Sequence, residues 1–293
     1  MAANGPQRGR VAVTGAAGSL ALDIIPGLLE LGYRVVGVDQ REPESDLGCA
    51  WVSCSIFDSD RLSRVLVGCN AVVHLAGIPL EADWSSVSRV NIDGTQAVLE
   101  AAQGAGVRRA ILASSIHSVG YVPIPEENGK VQDDVAVRPD TFYGVSKAAV
   151  EALGSLYHDR YGMDVVCLRI ASRFAHPEGE RMLSTWLSPA DAVRLVDAAL
   201  TTSSPGFRTV WGVSANTRGY LSAAGGQAIG FVPQDNAEKF AAELFEKAAA
   251  NRQLLASEWD KKVIGGVFSS PAPPMFQSWD GFARPGAAVV SAG

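Results

Sequence analysis

A tyrosine and a lysine lie four residues apart near the start of a helical pattern, in the stretch TFYGVSKAAVEAL at residues 141–153. Residues four apart lie on one face of a helix, so Tyr143 and Lys147 can point together into one cleft. A nearby ammonium favours the phenolate, and we expect it to lower the pKa of Tyr143 from about 10 towards neutrality. The pair is therefore suited to remove the proton of an alcohol.

A serine closes the predicted strand RRAILASS, residues 108–115. At the carboxyl end of a parallel strand, the hydroxyl of Ser115 can hydrogen-bond the reacting oxygen and hold it against Tyr143. Ser114 is the competing choice, and a serine at this place can also simply form a turn that ends the strand.

Short β-branched apolar runs alternate along the chain with longer helical patterns. The runs predict strands at residues 10–15, 33–39, 50–54, 71–77, 108–115, 163–170 and 208–213. Apolar residues at helical spacing predict helices at residues 20–32, 58–67, 85–106, 141–162 and 188–200. This alternation predicts an α/β fold of the Rossmann type, a doubly wound parallel sheet with helices on both faces.

The domain organisation follows from where the patterns stop. No repeat or low-complexity linker splits the chain, so we expect one dinucleotide-binding domain over residues 1–277 with a small C-terminal substrate-binding lobe. Residues 172–187 show few periodic signals and are interpreted as a long functional loop. The substrate-binding portions are expected in 172–187 and 211–277. Residues 278–293 are rich in Gly, Ala, Pro and Ser, and are expected to form a flexible tail.

The first predicted strand runs directly into TGAAGSLALDII, which is typical of a dinucleotide-binding turn. Gly15 and Gly18 let the backbone approach a pyrophosphate, and the following helix offers N–H groups and a positive dipole end. The third small position is Ala21, where glycine is usual. Asp39 ends the second strand, where a carboxylate accepts the ribose hydroxyls and repels a 2′-phosphate. NAD is favoured over NADP, although Arg41 nearby could receive a phosphate.

Composition and charge exclude several classes of function. The chain has 293 residues and a net charge of −6, without a Lys/Arg-rich cluster, which argues against nucleic-acid binding. No stretch approaches the ~18 apolar residues of a membrane span, and the first ten residues lack the apolar segment of a signal peptide. The four cysteines have no CxxC spacing, which predicts reduced thiols and no metal site. We expect a cytoplasmic protein.

Six motifs together resemble one superfamily: TGAAGSLA, Asp39, HLAG (74–77), NIDGT (91–95), ASS (113–115) and YGVSK (143–147). They are similar to the extended short-chain dehydrogenase/reductases, the NAD-dependent epimerase/dehydratase group. In the second half, RMLSTWLS (181–188), VWGVSAN (210–216), DNAEKF (235–240) and GGVF (265–268) resemble bacterial uronate dehydrogenases. Those enzymes oxidise C1 of glucuronate or galacturonate with NAD to an aldarolactone, so the resemblance implies the same class of oxidoreductase.

The resemblance also implies roles for individual residues. Tyr143 is the implied base, Lys147 its electrostatic partner and a ribose ligand, and Ser115 a donor to the hemiacetal oxygen. Asn91 is implied in a water-linked proton route from Lys147 to solvent. The cofactor contacts implied are Gly15, Ala17, Gly18, Ser19, Leu20, Asp39, Ser55, Ile56, Leu75, Ala76, Gly77, Asn91, Tyr143 and Lys147. The substrate contacts implied are Pro79, Ser115, Ile116, His117, Tyr143, Ser172 and Arg181.

Arg181 suits a substrate carboxylate because its planar fork binds a carboxylate bidentately. Each of these residues also has a structural interpretation. Arg181 can be a solvated loop arginine, His117 a capping or hydrogen-bonding core residue, and Asn91 a side chain that bonds backbone inside a long helix.

Three positions depart from the uronate dehydrogenase pattern. Ile116 stands where those enzymes have asparagine, Pro79 where they have serine, and Ser55 where many relatives have aspartate. The first two changes remove hydrogen bonds to sugar hydroxyls. They favour, as an alternative, an NAD-dependent epimerase or dehydrogenase acting on a less hydroxylated or modified sugar. A non-enzymatic NAD-binding regulator is a further alternative. Related enzymes associate through the helices with NIDGT and YGVSK, which predicts a homo-oligomer.

Overall fold

The computed structural model describes residues 8–126 and 129–275, and its centre is a seven-stranded sheet in which every strand pair is parallel. The strands, in chain order, are β1 (Arg10–Thr14), β2 (Arg34–Asp39), β3 (Ala50–Ser53), β4 (Ala71–His74), β5 (Arg109–Ser115), β6 (Asp164–Ile170), β7 (Ser172–Arg173), β8 (Trp186–Leu187) and β9 (Phe207–Gly212). The sheet order is β3-β2-β1-β4-β5-β6-β9, while β7 and β8 pair separately. The order in which strands are added to the sheet reverses between β1 and β4. In such sheets, dinucleotides bind in the crevice at this point.

Helices connect these strands. They are α1 (Ser19–Glu30), α2 (Ser59–Leu66), α3 (Trp84–Val87), α4 (Gly94–Gly104), α5 (Phe142–Tyr161), α6 (Met182–Thr185), α7 (Pro189–Thr201), α8 (Ala224–Ala228), α9 (Ala241–Ala250) and α10 (Glu258–Lys262). A π-helical segment, Ser88–Asp93, joins α3 to α4. In the described ranges, no helix combines the length and the apolar character needed to cross a membrane.

Two apolar layers hold the helices against the sheet. On one face, side chains of α2, α4 and α5 such as Leu62, Leu99 and Val150 pack in one cluster. On the other face, α1 and α7 contribute Ile24, Leu28, Leu195 and neighbouring residues. These side chains are almost completely buried, so both faces of the sheet are covered. The α/β fold predicted from the sequence is confirmed.

Most predicted elements agree with the structure to within a few residues, with two corrections. The predicted helix at 85–106 is interrupted by the π-helical segment. Residues 172–187 are more than a loop, because β7 and β8 pair in parallel and α6 lies between them. Such elements of two to four residues are too short to show a periodic pattern. The expected tail at 278–293 lies outside the described residues.

The segments after β6 pack over the carboxyl edge of the sheet. Tyr220, Leu221 and Ile264 form an apolar cluster with Ile116 and neighbouring residues. A second cluster joins α6 and β8 to α9, with Leu183 and Trp186 against Leu244 and its neighbours. The first of these clusters places residues from the second half of the chain next to the ends of β5 and β6.

Candidate active site

The turn between β1 and α1 is shaped by glycine. Gly15 has φ of +70°, and a Cβ there would lie 2.5 Å from the backbone nitrogen of Ala76, so a side chain would clash. Gly18 precedes α1 as its N-cap. Because glycine has no capping side chain, the first N–H groups of α1 remain available to an anion such as a diphosphate.

Asp39 lies beside this turn at the end of β2. Its Oδ2 accepts a hydrogen bond from Ala17 N at 3.1 Å, and its Oδ1 accepts one from Arg41 N at 3.1 Å. The carboxylate is thereby fixed at the edge of the crevice, where it fits the adenosine ribose of NAD. Ser55 and Ile56 follow β3 at the same edge, and Ser55 Oγ accepts from Phe57 N at 3.2 Å.

The start of α5 positions the tyrosine and the lysine. Thr141 is the N-cap, and its hydroxyl accepts a hydrogen bond from Gly144 N at 2.9 Å. Tyr143 and Lys147 follow one turn apart on the buried face, 8 % and 7 % exposed. Lys147 Nζ donates to the carbonyl of Ala113 at 2.7 Å and lies 5.5 Å from the centroid of the Tyr143 ring.

The two candidate serines on β5 differ in their partners. Ser115 lies close enough to Tyr143 to lower the pKa of its hydroxyl, and the Ser115 Oγ accepts from His117 N at 3.2 Å. Ser114 instead donates to Glu151 Oε1 at 2.6 Å. Glu151 also forms a buried ion pair with Arg169 at 2.8 Å. Ser115 therefore lies beside the candidate pair of Tyr143 and Lys147, whereas Ser114 belongs to a buried polar network with Glu151 and Arg169.

The prediction that Lys147 lowers the pKa of Tyr143 towards neutrality is wrong. Burial is the main cause that raises the pKa of Tyr143 to about 12. The neighbouring Ser115 lowers this pKa by less, and the charge of Asp140 raises it further. Burial also lowers the pKa of Lys147 to about 8. The cost of removing a phenolate from water thus exceeds the stabilisation that the spacing of the two residues suggested.

Arg181 lines the same cavity as the glycine-rich turn. Its Nη2 donates to the carbonyl of Ile264 at 2.6 Å, and its Nη1 reaches Ser172 Oγ at 3.4 Å. Asp260 Oδ1 is 3.4 Å from Arg181 Nε. These contacts fix the guanidinium while it still lines the cavity, as a clamp for a carboxylate requires.

His117 lines the cavity beside Tyr143. Its Nδ1 lies 2.9 Å from Asp140 Oδ2, whose side chain is fully buried. The imidazole ring packs edge-to-face against Phe268, at 4.8 Å, and against Tyr143, at 5.8 Å. With Nδ1 engaged by the carboxylate, Nε2 is the nitrogen left for a ligand.

Asn91 lies inside the π-helical segment and is 1 % exposed. Its Oδ1 accepts from Ile78 N at 2.7 Å, and its Nδ2 donates to Ile78 O at 3.1 Å and to Ser146 Oγ at 2.9 Å. Two of these bonds are to the backbone of Ile78, which matches the structural interpretation of this residue. The role of Asn91 in a proton route stays a prediction.

One cavity of about 610 Å³ joins these groups. The expected site residues among its lining are Gly15, Gly18, Ser19, Leu20, Leu75, Gly77, Pro79, Ser115, Ile116, His117, Tyr143, Lys147, Ser172 and Arg181. Six others lie outside this lining: Ala17, Asp39, Ser55, Ile56, Ala76 and Asn91. The glycine-rich turn, the helix N-terminus and the Asp39 carboxylate fit NAD, whose nicotinamide would extend towards Tyr143.

Comparison with known proteins agrees with this arrangement. The NAD dependent epimerase/dehydratase family matches residues 11–219, which is most of the chain. The chain belongs to this family. Its members bind NAD, in agreement with the fit of the β1–α1 turn and Asp39 to a dinucleotide.

Within the family, the chain is similar to uronate dehydrogenases. It is 32 % identical to the enzyme of Pseudomonas syringae pv. tomato over 268 residues, covering 90 % of this chain and 94 % of that one. It is 38 % identical to the enzyme of Agrobacterium fabrum over 195 residues, 67 % and 72 % of the two chains. A solved Agrobacterium tumefaciens uronate dehydrogenase in complex with NAD superposes with a TM-score of 0.81, at 31 % identity, covering 92 % of this chain and 99 % of that one.

Sequence reasoning missed several residues at the site of this epimerase/dehydratase family member. Arg173 and Phe268 line the cavity, whereas Asp140 and Asp260 hold His117 and Arg181 from outside it. A signal existed for Phe268, which lies in the GGVF motif. No local pattern distinguishes the two carboxylates from solvated ones, because their partners are distant in the chain.

Proposed function

We propose that this enzyme oxidises the C1 hydroxyl of a uronic acid with NAD and forms an aldarolactone. The observation that supports this best is a single cavity that joins Ser115, Tyr143 and Lys147 to Arg181, between a dinucleotide turn and a carboxylate clamp. The relatives named uronate dehydrogenase extend over most of the chain. The enzyme is an NAD-dependent dehydrogenase of the short-chain dehydrogenase/reductase superfamily.

The reaction consists of a proton transfer and a hydride transfer. Ser115 hydrogen-bonds the hemiacetal hydroxyl of the sugar and holds it against Tyr143. Tyr143 removes the hydroxyl proton, and the ammonium of Lys147 stabilises the phenolate that precedes this transfer. NAD, when bound, accepts the hydride that leaves C1. The C1–O bond gains double-bond character as the C–H bond breaks, so the cyclic hemiacetal becomes a lactone.

By binding the carboxylate of the sugar, Arg181 sets the position of C1 relative to Tyr143. We propose that Arg181, Ser172 and His117 bind the substrate, and that 172–187 and 211–277 supply the substrate-binding portions of one domain. Support comes from the packing of α6 and β8 against α9, and of Tyr220 and Ile264 against Ile116. Ile116 is only 2 % exposed, so its side chain belongs to this packing more than to the sugar.

The cellular compartment, the oligomeric state and the partners of the enzyme are also proposals. We infer a cytoplasmic homo-oligomer that acts on a small sugar acid and uses neither nucleic acid nor membrane. The four cysteines are free thiols, as expected in a reducing compartment. Phe142 and Trp84 expose apolar rings that contact each other at 5.6 Å, which suits contact with a second copy of the chain.

The test follows NADH absorbance with purified protein, NAD, and matched pairs of acidic and neutral sugars: glucuronate with glucose, and galacturonate with galactose. The hexuronates are expected to give the higher kcat/KM. Because a hydrogen-bonded charge contributes about 1.5–3 kcal/mol, Arg181→Met is expected to lower kcat/KM for the hexuronates by about tenfold or more, and to leave neutral sugars unchanged.

Arg64→Met is the matched control, since Arg64 is exposed in the last turn of α2, away from the cavity. The control should keep the preference of the unaltered enzyme. Preference for neutral sugars in the unaltered enzyme, unchanged by Arg181→Met, would contradict the proposal.

A further inference from the structure

The cavity has a strongly one-sided charge. Among the described residues that line it there are three with permanent or near-permanent positive charge, Lys147, Arg173 and Arg181, and no Asp or Glu. The carboxylate partners of the two arginines, Asp23 and Asp260, lie outside the lining, so the cations face a ligand and favour its anionic groups. The proposed function uses Lys147 at the reacting hydroxyl and Arg181 at the substrate carboxylate. It leaves Arg173 without a role.

Arg173 lies on β7, beside the cofactor end of the cavity. Its guanidinium forms an ion pair with Asp23 of α1, and the two side chains are 18 % and 22 % exposed. Its Nε is buried and finds no hydrogen-bond partner among the described residues. Burial lowers the pKa of Arg173, in agreement with a cation that is only partly compensated by its surroundings.

Asp23 shows which part of the cavity Arg173 can reach. Asp23 is four residues after Ser19 and three after Leu20, so all three lie on one face of α1. Ser19 and Leu20 line the cavity, and Gly18 leaves the N–H groups of α1 uncapped. One turn of helix, about 5.4 Å, separates the carboxylate that now holds Arg173 from the position where the helix N-terminus would bind an anion.

We propose that Arg173 is a cofactor-binding residue whose guanidinium binds the diphosphate of NAD near the N-terminus of α1, in competition with its ion pair to Asp23. The inference rests on the proposed function, because it takes NAD as the ligand. The planar guanidinium donates two parallel hydrogen bonds to phosphate oxygens, which a lysine does not reproduce. The buried Nε supplies one of these donors.

The test measures the Kd of NAD and of ADP-ribose for the full-length protein by isothermal titration calorimetry. ADP-ribose contains the diphosphate but not the nicotinamide, so its binding does not depend on catalysis. Arg173→Met is expected to weaken both ligands by about ten- to a hundredfold, the effect of a lost charged hydrogen bond. Arg173→Lys is expected to recover part of this loss, and the KM for hexuronate at saturating NAD should stay unchanged.

Asp23→Asn separates ligand binding from a structural role. If Arg173 binds the diphosphate, removal of the competing carboxylate leaves the Kd of ADP-ribose unchanged or lowers it. If the ion pair only joins α1 to β7, Asp23→Asn weakens ADP-ribose as much as Arg173→Met does, and the inference is overturned. Arg8→Met breaks the comparable Arg8–Asp197 pair, which lies away from this cavity, and should leave both Kd values unchanged.

Two other outcomes would overturn the inference. Unchanged ADP-ribose affinity in a folded Arg173→Met variant, with its circular dichroism matching the unaltered protein, removes the role. A loss confined to the KM of the sugar assigns Arg173 to a second anionic group of the substrate instead. The proposed function fails separately, if the unaltered protein binds neither NAD nor ADP-ribose.

Discussion

The basicity of Tyr143 depends on its surroundings more than on its distance from Lys147 along the helix. Burial raises the pKa of Tyr143 to about 12 and lowers the pKa of Lys147 to about 8. At neutral pH the tyrosine is therefore a phenol and the lysine still mainly an ammonium. The phenolate needed for catalysis is a minor species. As long as the pH stays below the pKa of Tyr143, the phenolate fraction increases tenfold for each unit by which the pH rises.

These two values predict the pH dependence of kcat/KM. Between pH of about 6 and 7.5 the rate constant should rise nearly tenfold per unit, because only the phenolate fraction changes. Above a pH of about 8, loss of the Lys147 ammonium offsets the gain in phenolate, so the profile should level. Initial NADH rates with hexuronate at saturating NAD measure this profile.

In Lys147→Met the levelling should disappear, so that a lower rate keeps rising through the pH at which the unaltered enzyme levels. Ser155→Ala, on the same helix but outside the cavity lining, should keep the original profile. A profile of the unaltered enzyme that is already flat at neutral pH would contradict the assignment of these pKa values.

At the scale of elements, the sequence predicted those features that repeat or that depend on local backbone geometry. The β1–α1 turn was predictable because Gly15 has to adopt positive φ, and Tyr143 with Lys147 because helical spacing is regular. The pair of Arg173 with Asp23 was not, since it depends on how closely β7 approaches α1. The π-helical segment around Asn91 was also missed, because its side-chain partners come from distant parts of the chain.

A buried histidine joins three of these elements. His74, at the end of β4, lies 2.7 Å from Thr14 Oγ1 through Nδ1 and 3.1 Å from Thr95 Oγ1 through Nε2. The Thr95 hydroxyl donates its one hydrogen to Asn91 O at 2.6 Å, so His74 Nε2 has to be the donor and Nδ1 the acceptor. Neutral His74 thus connects β1 and β4 to Thr95 of α4, whose hydroxyl in turn bonds Asn91 O.

The burial of neutral His74 predicts a loss of stability in mild acid. Burial lowers the pKa of His74 from 6.5 to about 3, so the unfolded chain takes up a proton that the folded chain does not. Its contribution is fully present above pH 6.5 and is lost as the pH falls towards 3. As the pH falls from 6.5 to 5, the free energy of unfolding should decrease by about 1.5 kcal/mol. Urea unfolding at the two pH values measures this decrease.

His74→Gln keeps an acceptor and a donor but does not titrate. This variant should lose less stability over the same pH interval, because the glutamine takes up no proton when the chain unfolds. His158→Gln is the matched control, because His158 is only partly buried and bonds one carbonyl, that of Met163, at 2.8 Å. An equal acid sensitivity of His74→Gln and the unaltered protein would contradict the role of His74.

At the scale of the whole molecule, α5 has two apolar faces. Tyr143, Lys147, Val150, Gly154 and Tyr157 follow a spacing of four and three residues and are buried. Phe142, Val145, Ala149, Ala152 and Leu156 follow the same spacing on the other face, where Phe142 is 51 % and Leu156 40 % exposed. An exposed apolar stripe on one face of a helix favours contact with a partner, and a second α5 provides the same apolar stripe.

We therefore expect the protein to associate through this outer face of α5. Val145→Glu combined with Leu156→Glu places charges on the contact without altering the catalytic face, so the mass in multi-angle light scattering should fall to that of a monomer. Val232→Glu is the control, because Val232 is 66 % exposed but lies outside α5, and it should keep the oligomer. A monomeric unaltered protein, or a double variant of unchanged mass, would contradict association through this face. Since Tyr143 and Lys147 face inward from the same helix, the contact would also hold rigid the element that positions both catalytic groups.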